Sequence, residues 1–168
     1  MLSNTLYWIR KTLSTGFFLG YFPYGPGTVG AAMTILLFFF AGNRLDFLIG
    51  PENGFTFWWI MIALIAFTVF ITSDAKNIFG RDDPPQVILD EITGMFITFF
   101  MVPITVRTLL LGFVLFRFFD IVKPFPVYTM EEMEDGVGIT MDDVAAGVMA
   151  NISLILILFI YKSMMGWL

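Results

Sequence analysis

The run FTFWWIMIALIAFTVFIT, from Phe55 to Thr72, contains 18 residues and no charge. A helix of that length and polarity suits a hydrocarbon core about 30 Å thick, which takes about 20 residues to cross. The rest of the chain strengthens the point. Of 168 residues, 58% are hydrophobic, 21 are Phe, and mean hydropathy is +0.84, whereas a soluble domain is roughly 45–50% apolar. A soluble fold of this size has too little interior to hide so much apolar surface. The expected class is therefore all-α, an integral membrane helical bundle.

Further hydrophobic segments follow the same logic and bring the expected total to about four. A first begins near Val29 (VGAAMTILLFFFAG) and is interrupted by Asn43, Arg44 and Asp46; Leu45 and Phe47–Ile49 could extend it. The region Ile92–Phe119 contains Pro103 and Arg107. A lone Arg in mid-bilayer costs at least about 2.5 kcal/mol, so this region reads as a hairpin of two short arms, Ile92–Val102 and Leu109–Phe119, turning over Pro103–Thr108. The last segment runs from Val144 to about Ile160. Residues 1–20 lack the layout of a secretory signal. Arg10 and Lys11 lie between apolar residues there, and Tyr7 and Trp8 suit the headgroup region.

Two polar stretches remain, 73–91 and 120–143. If the hydrophobic segments cross alternately, both share a side with the N-terminus. That side carries six of the nine basic residues, leaving Arg44, Arg107 and Lys162 opposite. The basic bias places it in the cytoplasm. It also carries 12 of the 14 acids, all but Asp46 and Glu52. Acids do not set topology, so their concentration calls for another reason, and a metal site is one.

The chain has no His and no Cys. Imidazole bases, thiolate nucleophiles, disulfides and the usual zinc ligand sets are excluded. A net charge of −5 gives no support to nucleic-acid binding. What remains is chemistry by carboxylates, hydroxyls, Lys, Arg, backbone amides and a hard cation.

Four groups could carry it. Asp82 and Asp83 precede Pro84-Pro85, and Asp90 and Glu91 follow before an apolar helix. Acids in a first turn are ordinary dipole partners, but carboxylates this crowded repel unless a cation sits among them. Glu91, Gly94 and Thr98 share a helical stripe whose small residues admit a close neighbour. In the second group Arg117, Asp120 and Lys123, each three residues apart, share a face until Pro124 and Pro126 end the helix. A carboxylate between two cations suits an anionic headgroup and its counter-ion. The third is GVGITMDD (136–143), with Asp142 and Asp143 at the start of a span; Asp143, Gly147 and Asn151 form a stripe suited to tight packing. The acids at 131–135 read as a solvated loop. The fourth is YGPGTVGA (24–31), in which Thr28 is a plausible N-cap and Gly27 allows close backbone approach to a phosphate.

All four groups fall on one expected side. Mg²⁺ takes oxygen ligands from a few carboxylates, water and substrate phosphate, and a phosphate monoester can then be attacked in line by water or by a carboxylate.

Together, PYGPGTVGA (23–31), DDPPQVILDEITGMFITF (82–99), LFRFFDIVKPFP (115–126) and DGVGITMDDVAAGVMA (135–150) resemble the phosphatidylglycerophosphatase A family of bacteria. The resemblance implies a single membrane phosphatase domain over residues 1–168 in the bacterial inner membrane, with its active side cytoplasmic. The implied reaction is Mg²⁺-dependent hydrolysis of phosphatidylglycerophosphate to phosphatidylglycerol and inorganic phosphate. Family motifs put catalytic, metal-holding acids at Asp90, Glu91, Asp120, Asp142 and Asp143. They put substrate-binding positions at Gly27, Thr28, Arg117 and Lys123, with Asp83 a lesser candidate. Members of the family often carry a His in the stretch matching Arg81–Pro85. This chain has none, so the chemistry does not require that His or its role has been replaced.

Two other classes compete. A CDP-alcohol phosphotransferase also uses clustered Asp and Mg²⁺, but its DGx₂AR signature fails after Asp135-Gly136. A cation carrier would want acids within its spans, and Phe55–Thr72 has none. A DxDx[TV] nucleophile signature is also missing, which favours metal-assisted attack by water over a phosphorylated carboxylate.

Overall fold

A computed structural model of the chain describes residues 3–41, 44 and 54–165. Among them all regular structure is helical. In chain order the helices are α1 (Asn4–Ser14), α2 (Pro26–Ala41), α3 (Gly54–Thr72), α4 (Ala75–Phe79), α5 (Leu89–Thr98), α6 (Val106–Val122), α7 (Val127–Glu131) and α8 (Asp135–Met165). Asn43, Asp46, Glu52 and the extension over Leu45 and Phe47–Ile49 lie outside the described residues.

Local chemistry sets most boundaries. Pro26 occupies the first position of α2, where a missing N–H costs nothing. Thr105 caps α6 through a reciprocal pair with Thr108, each side chain accepting from the other's backbone N–H. The helix stops at Val122, Lys123 turns left-handed (φ 46°), and Pro124 follows, as the Pro spacing predicts.

Among the described residues, two helices are long and apolar enough to cross a membrane: α3, through Phe55–Thr72, and α8, through Gly136–Met164. Of the expected total of about four hydrophobic segments, these two have the length of a full span. Helix α2 has 16 residues, α6 has 17 and carries Arg107, and α5 has 10, which at 1.5 Å per residue reaches only about 15 Å. Large apolar side chains nevertheless face outward along α2, α3, α6 and α8, including Phe40, Trp58, Trp59, Leu110, Val114 and Phe159. An apolar outer surface over a packed interior belongs in lipid.

Helix α8 is the hub, packing against α3, α5, α6 and α7, while α2 covers α5 and α6. Helices α5 and α8 cross at two glycines. A Cβ on Gly147 would stand 2.3 Å from the Gly94 carbonyl oxygen, and one on Gly94 would stand 2.5 Å from that of Asp143. The contact confirms the close-packing reading of both stripes. Below it, the Asn151 amide donates to the carbonyls of Thr98 (3.0 Å) and Phe100 (2.7 Å). Those groups at the end of α5 would otherwise lack partners in an apolar interior. Phe38, Phe99 and Phe116 are fully buried around this crossing.

A further correction concerns 135–143. The stretch expected to lead into the last span is itself helix, because α8 starts at Asp135. Gly136 and Gly138 serve close packing there: a Cβ on Gly136 would meet the Ser73 backbone nitrogen at 2.6 Å, and one on Gly138 the Met133 carbonyl at 2.2 Å. The Thr72 hydroxyl, which donates to the Gly136 carbonyl, ties the base of α8 to α3.

Candidate active site

Three helices deliver the polar residues to one place. The first turn of α5 brings Asp90 and Glu91. Held against it by the glycine crossing, α8 brings Asp142 and Asp143, and the end of α6 brings Arg117, Asp120 and, just beyond, Lys123. These seven residues and Gly27 line one cavity of about 340 Å³, together with Asp83, Pro84 and Pro85.

The acids divide into two sets. Asp90, Glu91 and Asp143 each place a carboxylate oxygen within 4.8 Å of the others. Asp90 and Asp143 are buried and Glu91 is half-buried. Glu91 Oε2 and Asp143 Oδ1 are buried without a hydrogen-bond partner in the protein. Leaving an ionised oxygen so placed is costly, and three converging carboxylates match the all-oxygen set a hard divalent cation takes. Burial pushes the Asp90 carboxyl up to about 6. The same cause, reinforced by the charges of Asp90 and Asp143, lifts Glu91 well above the ordinary range.

The second set holds the cations. Arg117 Nη1 donates to Asp120 Oδ2 at 2.5 Å. Lys123 Nζ donates to Asp142 Oδ2 at 2.9 Å and pairs with Glu131 at 2.7 Å. Burial opposes the charge on Lys123, but these two carboxylates outweigh it and hold its pKa above the usual lysine range. Asp142 is braced further, because its Oδ1 accepts the Asp143 backbone N–H. The cavity therefore holds a carboxylate cluster with two unpartnered oxygens, and two cations already oriented by their own carboxylates.

Gly27 fits this arrangement closely. A Cβ there would stand 2.2 Å from Glu91 Oε1 and 3.1 Å from Arg117 Nη1. With α2 beginning at Pro26, the Gly27 N–H is one of its first-turn donors, which have no acceptor within the helix. Thr28 differs from expectation. It lies inside the first turn rather than capping it, is exposed, and is not among the residues lining the cavity.

Glu131 was missed by sequence reasoning. It ends α7 and reaches Lys123, whereas the acidic run at 131–135 reads as a solvated loop; Glu132 and Glu134 are exposed, consistent with that reading. No periodic signal links positions 123 and 131, because the turn through Pro124 and Pro126 breaks the helical register between them.

The family profile described as phosphatidylglycerophosphatase A matches residues 12–158, which includes every candidate site residue. The chain belongs to the phosphatidylglycerophosphatase A family. As a member of a phosphatase family it is a hydrolase and a multi-pass membrane protein. It is 34% identical over 143 residues to the Haemophilus influenzae phosphatidylglycerophosphatase A, covering 83% of each chain. With the Escherichia coli K12 phosphatidylglycerophosphatase A it shares 29% over 140 residues, 82% of this chain and 77% of the relative. A Bacteroides thetaiotaomicron protein named "Putative phosphatidylinositol-3-phosphatase" is 37% identical over 142 residues, 81% of this chain and 85% of its own. No solved structure matches.

Proposed function

We propose that this family member is a Mg²⁺-dependent phosphomonoesterase that converts phosphatidylglycerophosphate to phosphatidylglycerol and inorganic phosphate at the cytoplasmic face of a bacterial inner membrane. The observation that carries the proposal is the pairing of the Asp90–Glu91–Asp143 cluster, with its two orphaned oxygens, and the Arg117 and Lys123 cations across the same cavity. The three acids would hold the metal. When bound, Mg²⁺ supplies Lewis-acid stabilisation of charge on the phosphoryl oxygens and lowers the pKa of water nearby.

The remaining roles belong to the chain. Arg117 and Lys123 bind the non-bridging phosphate oxygens. Asp120 and Asp142 hold those cations in place, so little reorganisation is needed when negative charge builds on the phosphate. Gly27 lets the backbone close over the phosphate from the start of α2. Water adds to phosphorus as the bond to the headgroup oxygen breaks, and that oxygen leaves with a proton. With no His in the chain, the cavity-lining carboxylates are the bases at hand for the water's proton. Two bonds change and no redox partner is required.

The test is phosphate release by the purified protein in detergent, with and without Mg²⁺. The substrates are phosphatidylglycerophosphate and, given the name of the Bacteroides relative, phosphatidylinositol 3-phosphate. Metal-dependent release that prefers the first lipid, and falls at least about 100-fold in Asp90→Asn and Asp143→Asn, is expected. Release without metal, or full activity in both variants, would sink the proposal.

A further inference from the structure

Six carboxylates line the cavity, and five of them are already engaged. Asp90, Glu91 and Asp143 form the cluster suited to a metal. Asp120 accepts from Arg117, and Asp142 accepts from Lys123 and from the Asp143 backbone N–H. The sixth is Asp83. Among the described residues its carboxylate makes no hydrogen bond and no ion pair, although Lys123 lines the same cavity and pairs with Glu131 and Asp142. From this we infer that Asp83 is the general base of the reaction, the group that takes the proton of the attacking water. The inference rests on the phosphatase reading and assigns one residue to a step that reading leaves to the carboxylates together.

Three observations favour this role. The first is availability. A carboxylate that accepts hydrogen bonds from a guanidinium or an ammonium has its charged form stabilised and is a weaker proton acceptor. That applies to Asp120 and Asp142 and leaves Asp83 with its lone pairs uncommitted. The second is position. Asp83 belongs both to the cavity and to a smaller hollow of about 70 Å³ beside it, lined also by Asp82, Glu131, Met133 and Gly138. Asp83 itself is exposed. The smaller hollow has room for water, so a proton taken up in the cavity has an outlet to solvent.

The third observation is the hold on the loop. Pro84 follows Asp83 and disfavours helical backbone at it. Pro84 is buried, and its carbonyl accepts from the Val87 N–H (3.0 Å). Val87 and Ile88 are buried in turn, and the Ile88 N–H donates to the Ser14 carbonyl (2.9 Å). On the other side Asp82 pairs with Lys76 at 2.6 Å. The loop is thus tied on both sides of Asp83, while the Asp83 carboxylate serves no structural bond. The step balances. The water oxygen bonds to phosphorus as the bond to the headgroup oxygen breaks. One water proton passes to an Asp83 carboxylate oxygen and from there to solvent, and the headgroup oxygen takes up a proton as it leaves. Nothing is oxidised or reduced.

The test uses the full-length protein in detergent micelles with Mg²⁺, comparing wild type with Asp83→Ala, Asp83→Asn and Asp83→Glu. Four quantities are read: kcat and KM for phosphatidylglycerophosphate, the Mg²⁺ concentration for half activation, and inhibition by inorganic phosphate. Asp83→Ala and Asp83→Asn are expected to lower kcat about 100-fold or more with the other three unchanged, and Asp83→Glu to keep an intermediate rate. Formate is small enough to take the place of the missing carboxylate. It should raise kcat of Asp83→Ala at least about tenfold as its concentration rises, and leave the wild type unaffected. A substrate with sulfur in place of the leaving oxygen, whose thiolate departs without a proton, should show the same loss in Asp83→Ala. Full kcat in Asp83→Ala and Asp83→Asn would overturn the assignment. So would a loss that neither formate nor Asp83→Glu relieves, or one matched by a shift in KM, Mg²⁺ activation or phosphate inhibition, which would place Asp83 in binding. Sparing of the sulfur substrate would make Asp83 the proton donor to the leaving group, and would also overturn it. In each of these cases metal-dependent release by the wild type leaves the phosphatase reading intact. If the wild type releases no phosphate at all, that reading falls and the base falls with it.

Discussion

Glu91 Oε2 and Asp143 Oδ1 lie buried without a hydrogen-bond partner, and burial pushes the Asp90 carboxyl beside them up from its ordinary 3.8 to about 6. The direction of the shift fixes a pH effect. Between those values the folded, metal-free protein holds more protons than the unfolded chain, so its stability falls as pH rises through that window. Thermal unfolding in detergent with chelator should show Tm decreasing from about pH 4 to about pH 6. Adding Mg²⁺ at neutral pH should raise it again. A metal-free Tm that climbs across this window would contradict the arrangement. The cations make a separate prediction. Arg117→Lys keeps the charge but loses the planar fork, so phosphate release should drop at least about tenfold with Mg²⁺ dependence retained. Steady-state assays across a Mg²⁺ titration measure both.

Helices α5 and α8 show what could be read from the sequence and what could not. The Asp143–Gly147–Asn151 stripe marks an inward face by spacing alone, and the structure places all three at the contact with α5 or in the cavity. The uncharged run Phe55–Thr72 likewise announces α3. Helix α8's start was illegible, because two glycines and a run of acids look like a loop until Ser73 and Met133 are seen pressing on those glycines. Glu131 was hidden for a related reason: its partner lies across a turn, and only tertiary structure joins them. Crowding at the crossing can be tested. Gly147→Ala places a methyl against the Gly94 carbonyl and should cost about 1–3 kcal/mol. By moving α5 away from α8 it should also weaken Mg²⁺ activation, which a metal titration would show. Asn151→Leu strips two carbonyls of their donor and should lower Tm by an amount corresponding to about 1–3 kcal/mol, with a smaller effect on the metal titration.

At the scale of the whole molecule, a chain without Cys lends itself to a direct test of sidedness. Asp82 and Lys162 are both exposed, the first near the cavity and the second near the far end of α8. Single replacements Asp82→Cys and Lys162→Cys should react differently with a membrane-impermeant maleimide. Position 162 is expected to label in intact cells, and position 82 only once the inner face is opened. The reverse pattern would place the cavity outside. The length of α8 carries one more consequence. Its 31 residues extend about 46 Å, well beyond a hydrocarbon core of about 30 Å. With the apolar stretch after Asp143 immersed, the two aspartates stand level with the phospholipid phosphates rather than above them. A lipid can then reach the carboxylates by sliding sideways within its own leaflet, with no need to be lifted into water, and turnover should follow the mole fraction of substrate in the membrane rather than the amount of membrane per volume.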